Sequence, residues 1–173
     1  MTDQPTEAPL AVFRRLTNGV YVIGVSHQGR SNAFTAAWVT QVSFEPLMLA
    51  LSINPAHASY PLLVASGAFV VNVLAHDGLA LAAGFGTRSG READKLAGVR
   101  WRLGASGPVL LDAAAHLECR VVDGIAAGDH RLVVARVTDG AVHHPGARPL
   151  RYDETGDLDG SSAIYPRSFE RAG

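Results

Sequence analysis

Residues 31–46, SNAFTAAWVTQVSFEP, have the β-branched and aromatic content of a strand yet carry Thr35, Thr40, Gln41 and Ser43. The small side chains of Ala36 and Ala37 let a flat ring approach the main chain, whose N–H and C=O groups can bond the ring edge. On residue types alone, an ordinary barrel strand explains the same pattern. A second candidate site follows the next apolar run. Ser52, Ile53 and Asn54, then His57 and Ser59, put polar groups at a strand end and a helix start, where free N–H groups and the helix dipole attract anions such as phosphate. The plainer account of that turn has Ser59 capping the helix and His57 in solvent.

Other patterns exclude chemistry. Gly84–Gly90 has the spacing G-x-G-x-x-x-G with no clear strand feeding it, which departs from the dinucleotide fingerprint. There is no Walker A sequence, no H-E-x-x-H and no paired C-x-x-C. The run DETGDLDG lacks the sixth-position Gly and twelfth-position Glu of a calcium loop and reads as a solvated turn. Cys119 alternates with Leu117 and Val121 and reads as a small core residue. His143 and His144 precede Pro145-Gly146 and read as loop, while His27, His76 and His116 have no evident partner. Glu45, just before Pro46, reads as a turn residue. No metal site is expected.

The elements that must position the two candidate sites are mostly strands. Val20–Val25 and Asn32–Val42, joined by a Gly-containing turn at residues 27–30, predict a hairpin. Leu47–Ile53 is continuously apolar after Pro46 and predicts a central strand covered on both faces. Ser59 as N-cap and Pro61 in the first turn start a short helix that Gly67 ends. Ala68–Leu74 predicts a strand, and residues 78–83 and 91–96 predict short helices with Gly84 and Gly86 in the link. Leu117–Ile125 and Arg131–Val142 predict a long hairpin. Short helices between many strands favour a closed antiparallel barrel, because closure removes exposed edges.

The 173 residues fit one domain, and 47% hydrophobic residues supply its core. A formal net charge of -1 offers no basic field for nucleic acid or anionic lipid, so neither is an expected partner. The apolar run from Leu62 to Ala75 is broken by Ser66, Gly67 and Asn72 and is shorter than the ~20 residues of a membrane span. One cysteine and a polar, acidic start make the cytoplasm the expected compartment.

In their order and spacing, TNGVYVIGV, FTAAWVTQVSFEP, LALSIN, SGAFVVNVL, DKLAGVRW and LECRVVDGIAAGDHRLVVARV resemble the flavin reductase-like family with the FMN-binding split barrel. That family is related to the small reductase components of two-component flavin monooxygenases. The resemblance covers about Phe13 to Tyr152. It implies a mainly β, Greek-key split barrel with short helices over residues 11–155, a flexible arm over 1–10, and a tail over 156–173 packed on the barrel or on a dimer partner. The implied cofactor is FMN, with FAD as the alternative, and NADH or NADPH is the implied hydride donor.

Thr35, Ala36, Ala37, Trp38 and Val39 match the strand that contacts the isoalloxazine. Ser52, Ile53, Asn54, His57 and Ser59 match the turn near the ribityl phosphate, and Phe85 and Lys95 match positions that complete the site. Asp129-His130 matches the G-D-H motif, whose His lies where the nicotinamide stacks, so His130 is the implied catalytic residue. The implied activity is NAD(P)H-dependent flavin reduction, with reduced flavin passed to a monooxygenase. The alternatives are a flavoredoxin-like electron carrier and a non-catalytic flavin- or haem-binding protein. Two departures stand out. The turn at 54–58 has no Arg, so phosphate neutralisation falls to Arg88, Arg91 or Lys95, and Trp38 replaces a small residue.

Overall fold

In the computed structural model, residues 8–91, 93–160 and 163–165 are described. Nine strands and three α-helices follow one another along them. A hairpin opens the sheet: β1 (Tyr21–His27) and β2 (Arg30–Ala36) turn at Gln28 and Gly29, both at positive φ, 49° and 78°. That backbone twist matches the right-handed twist of the strands it joins.

The long run after the hairpin is broken where the sequence reads as continuous. β2 stops at Ala36, residues 37 and 38 leave the ladder, and β3 (Val39–Phe44) begins on the opposite side of the sheet. The seven-stranded order is β2-β1-β5-β8-β9-β4-β3, with β4 (Leu47–Ile53), β5 (Ala68–Val73), β8 (Ala115–Ala127) and β9 (His130–Val142), every pairing antiparallel. β2 and β3 are therefore the two edges, yet only two residues separate them. The Ala36–Val39 span is at most about 11 Å when extended, so the sheet must curl until its edges meet at this seam. The chain forms a barrel split beside Ala37 and Trp38. β4 and β5, consecutive in the chain, lie apart with the β8–β9 hairpin between them, which is the Greek-key excursion.

The period-two pattern sends alternate residues to two cores. Ile23, Val25, Phe34, Leu49, Leu51, Phe69, Val71 and Cys119 fill the barrel. Val20, Val22, Leu74, Phe85, Leu96 and Leu110 pack outside it. β1 and β5 are thus the strands buried on both faces. β4 is not central, lying next to edge strand β3 with its first residue, Leu47, exposed, but Leu49, Ala50 and Leu51 are buried in succession, so its middle is covered on both faces as expected.

The second helix, α2 (Tyr60–Ser66), follows α1 (Ala8–Phe13) in the chain and adds Leu63 to the barrel core. Gly67 ends it in the left-handed region at φ 60°, as expected. Ser59 does not cap it. Its backbone is already helical and its side chain bonds no N–H, and Pro61 in the first turn removes one donor that a cap would serve.

α3 (Leu79–Gly86) runs through Gly84 and Gly86, which the sequence places in a link. Burial of Ala82 and Phe85 carries the helix on, and Thr35 Oγ1 donates to the Ala82 carbonyl at 2.7 Å. Residues 91 and 93–96 lie in turns and a bend and not in a helix, because the Asp94 carboxylate takes the Leu96 N–H at 3.0 Å and competes with helical bonding. The short hairpin β6 (Trp101–Leu103) and β7 (Pro108–Leu110) packs on the outer core, and the long β8–β9 hairpin forms as expected, turning at Gly128 and Asp129.

α1 begins at Ala8, inside the stretch read as an arm; the rest of that arm lies outside the described residues. His116 gains a partner, with its Nδ1 lying 2.9 Å from His143 Nε2. The planes are within 4° and the centroids 4.9 Å apart, which with so short a contact is an edge-on hydrogen bond and not a stack. Cys119 is buried, and burial raises its thiol to about 12, so it acts as a core residue. Among the described residues, no helix is long and apolar enough to cross a membrane and no group of three His, Cys, Asp or Glu is placed to hold a metal.

Candidate functional site

A cleft of about 450 Å³ opens along the seam of the barrel, within the range of small-ligand pockets. The end of β2 and the break supply Thr35, Ala36, Ala37 and Trp38; the end of β4 supplies Ser52, Ile53 and Asn54; the β8–β9 turn supplies His130. Ser52 N–H donates to the Trp38 carbonyl at 2.9 Å, which carries the β3–β4 ladder one residue into the break. Three segments distant in sequence thus converge because the sheet closes there.

At one end the wall is flat and small. Ala36 and Ala37 bring only a methyl group each to the lining, and the Thr35 hydroxyl is committed to α3. Val39 does not line the cleft; it packs toward the barrel core, its N–H held by the Ala37 carbonyl at 3.0 Å. Trp38 stands half-exposed across from His130, ring centroids 5.0 Å apart. His130 Nδ1 lies 2.8 Å from Asp129 Oδ1, and this bond holds the Asp129 carboxyl below its ordinary value. With Nδ1 engaged, Nε2 is the atom left for a ligand: an acceptor in the neutral ring, a donor in the imidazolium.

The other end is built for an anion. His57 lines the cleft, packs against Phe34 at 4.5 Å between centroids, and accepts the Ser59 N–H on Nδ1 at 3.2 Å. Its remaining nitrogen, Nε2, then carries the proton of the neutral ring and can donate. Arg91 donates to the Ala56 carbonyl of the same turn at 3.2 Å. Lys95 is buried, with Nζ donating to the Phe85 carbonyl at 2.8 Å at the C-terminal end of α3; burial and the neighbouring Arg88 lower it to about 8. The cationic set missing from residues 54–58 is therefore brought in from residues 88–95.

Burial, then Lys95 and Arg91, lower His57 to about 4 from 6.5. The unfolded ring takes up its proton below 6.5 while the folded ring stays neutral until about 4, so stability rests on the neutral ring above 6.5 and is lost as pH falls through that window. Discounted for the water that reaches this half-buried ring, the loss from pH 7 to pH 5 is about 1 kcal/mol. Urea unfolding of the wild type and His57→Asn at both pH values should show that loss in the wild type alone. Equal losses would remove His57 as its source.

These residues fit a flavin mononucleotide. The hydroxyl of Ser59, wholly buried behind His57 and outside the cleft lining, has no hydrogen-bond partner among the described residues, a polar atom left unsatisfied at this turn. The cleft also has a flat end and, at the other, a turn that Arg91 and Lys95 approach from outside the lining, as a ring joined to a phosphate requires. Besides Val39 and Ser59, two expected contacts take other forms. Phe85 is turned into the outer core, and Gly86 lines the cleft in its place; Lys95 acts on the site through charge and through the end of α3.

Sequence reasoning missed Phe13, Phe34, Tyr152 and Asp159. Phe34 was available from alternation with Ala36. Tyr165, in the tail expected to pack on the barrel or on a dimer partner, lines the cleft of its own chain and packs edge-on against Phe13 at 6.0 Å. The last residues of the tail lie outside the described residues.

An antiparallel barrel split at one seam, with a ring-and-phosphate cleft along it, defines a flavin-binding class of protein. A family model described as "Flavin reductase like domain" matches residues 13–159, and the chain belongs to that family. The chain is 38% identical over 131 residues to FMN reductase (NADH) RutF of Variovorax paradoxus, covering 73% of this chain and 72% of that one. It is 37% identical over 140 residues to the high molecular weight rubredoxin of Moorella thermoacetica, covering 79% of this chain and 61% of the relative, so it spans only part of that protein's length. Among solved structures, nitrilotriacetate monooxygenase component B from Mycobacterium thermoresistibile superposes with a TM-score of 0.73 at 29% identity, covering 83% of this chain and 82% of the other.

Proposed function

We propose that the protein is an NADH- or NADPH-dependent flavin reductase that binds FMN in the seam cleft. The observation that carries this reading is the pairing in one cleft of a small-residue main-chain wall with a cationic turn, and of both with an exposed Trp38–His130 face. The similarity to FMN reductase (NADH) RutF supports FMN and NADH.

Bound flavin supplies the hydride acceptor, and the nucleotide the hydride. The protein's own work is placement. Residues 35–38 hold the ring edge with backbone groups that can meet the negative charge of the reduced ring. His57 Nε2 and Arg91 would hold the phosphate end, with Lys95 acting on it through its charge. His130 Nε2 fixes the carboxamide of the incoming nicotinamide, and Trp38 limits where that ring can lie. No residue has to move a proton for the hydride step.

The reading extends to reduced flavin passed to a partner monooxygenase, which the likeness to nitrilotriacetate monooxygenase component B supports. It also extends to a cytoplasmic homodimer. Val42, Phe44 and Leu47 are exposed at the β3–β4 hairpin beside an edge strand, Phe44 to 91%, which is the kind of apolar surface a second copy covers. Phe44→Glu should convert a dimer to a monomer by light scattering; an unchanged mass would place the interface elsewhere.

The deciding experiment is the visible spectrum of protein with FMN under anaerobic conditions, before and after NADH and then NADPH. Fast bleaching of the flavin band is expected and names the donor. Bound FMN that bleaches only with a chemical reductant would replace the reductase reading with an electron-carrier one.

A further inference from the structure

The flavin cleft leaves a second cleft unexplained. It measures about 230 Å³ and lies beside α1, with Arg14, Leu16 and Asn18 on its far side. Phe13, Trp38, Tyr152 and Tyr165 line both clefts, so the two meet across a shared aromatic wall. The smaller one falls below the ~300 Å³ at which pockets for whole ligands begin. It suits one part of a ligand whose remainder occupies the larger cleft.

Charge says which part. Arg14 is exposed, lies 4.6 Å from the centre of the Tyr165 ring, and pairs with no carboxylate of a described residue. Its backbone N–H bonds the Leu10 carbonyl at 3.0 Å, so the turn that continues α1 sets Phe13 and Arg14 side by side. Among the described residues that line either cleft, the carboxylates are Asp129 and Asp159, and both line the main cleft and not the second one. A ligand with a planar ring at each end and negative charge between them is repelled along the acidic side and drawn toward Arg14. His130 and Trp38 hold one ring, and the Phe13–Tyr165 wall offers faces for the other.

The geometry points to the second cleft as the subsite for the adenosine diphosphate half of a dinucleotide, with Arg14 holding the diphosphate. This rests on the reading of the main cleft as a flavin and nicotinamide site. NADH, NADPH and FAD all carry that half, and the test separates them.

Arg14→Gln changes an exposed side chain and leaves the barrel intact. A charge-assisted contact of this kind corresponds to about tenfold in affinity. Arg14→Gln should therefore lower kcat/KM with NADH about tenfold more than with reduced nicotinamide mononucleotide, which lacks the adenosine half. Arg14→Lys should recover part of the loss. If the larger loss falls instead on FAD relative to FMN, the subsite serves the flavin. Equal losses on dinucleotide and mononucleotide in both pairs would overturn the assignment. Calorimetric titration with ADP-ribose is the second readout, with binding expected to weaken about tenfold in Arg14→Gln. Absent or unchanged ADP-ribose binding would also overturn it. If no nucleotide bleaches the flavin, the reductase reading falls while the ADP-ribose titration still decides the subsite.

Discussion

Replacing His130 with alanine should slow nucleotide-driven bleaching of bound FMN by between ten- and a hundredfold while changing FMN affinity by less than about threefold. The asymmetry follows from position. His130 lines the cleft opposite Trp38, whereas His57 and Arg91, at the proposed phosphate end, stand on other segments. One hydrogen bond to the carboxamide, about 1.5–3 kcal/mol when it sets a ring at reacting distance, corresponds to the stated factor. The loss should appear in the hydride step of a stopped-flow trace, because the group orients and does not exchange protons. Asp129→Ala should lower the same step in the same direction and by less, since Asp129 only fixes which nitrogen His130 presents and its carboxylate is largely in water. An unaltered bleaching rate in His130→Ala would end its role. A loss of FMN affinity equal to the loss of rate would make it a flavin-binding residue instead.

The strands and their closure into a barrel were legible in the sequence, and the position of the seam was not. β1, β4, β5 and the β8–β9 hairpin announce themselves through β-branched runs and turn residues that local sterics enforce. The seam does not, because Ala37 and Trp38 sit within a run whose composition continues as strand; only the meeting of two sheet edges breaks it there. Ser52 through His57 and His130 could be read from residue type and motif, and the structure brings them to one cleft. Phe85 and Lys95 show the limit of such matching. Position in a motif locates a residue in the chain but does not give the direction of its side chain, and packing of α3 on β2 turned Phe85 inward. Arg14 and Tyr165 come from segments nearly at opposite ends of the chain, and no local pattern links them. His116 and His143 are 27 residues apart and meet for the same non-local reason.

Asn72 carries the second large effect, and it is the residue that sequence patterning treats as a mere interruption of an apolar run. It is fully buried on β5, where its side-chain N–H groups donate to the Val22 carbonyl at 3.0 Å and the Pro108 carbonyl at 3.1 Å. Its Oδ1 accepts the Leu110 N–H at 2.8 Å. The β6–β7 ladder shows why that matters. Gly104 N–H bonds the Gly107 carbonyl and Leu111 N–H bonds the Arg100 carbonyl, so in an antiparallel pair the groups of Pro108 and Leu110 point away from β6. The Asn72 amide meets them there as one more peptide unit would. Asn72→Leu keeps the volume and leaves the Pro108 carbonyl and Leu110 N–H buried without partners, at about 1–3 kcal/mol each. The expected cost is about 2–5 kcal/mol, a fall in Tm on the order of 10 °C for a domain of this size. Asn72→Asp should be no better, since a carboxylate cannot donate to either carbonyl and would be charged in a dry site. FMN affinity measured well below the transition should hold in Asn72→Leu, because none of the three partners lines the cleft. A Tm within about 2 °C of the wild type would mean that the two backbone groups find other partners, and that the outer hairpin does not depend on Asn72.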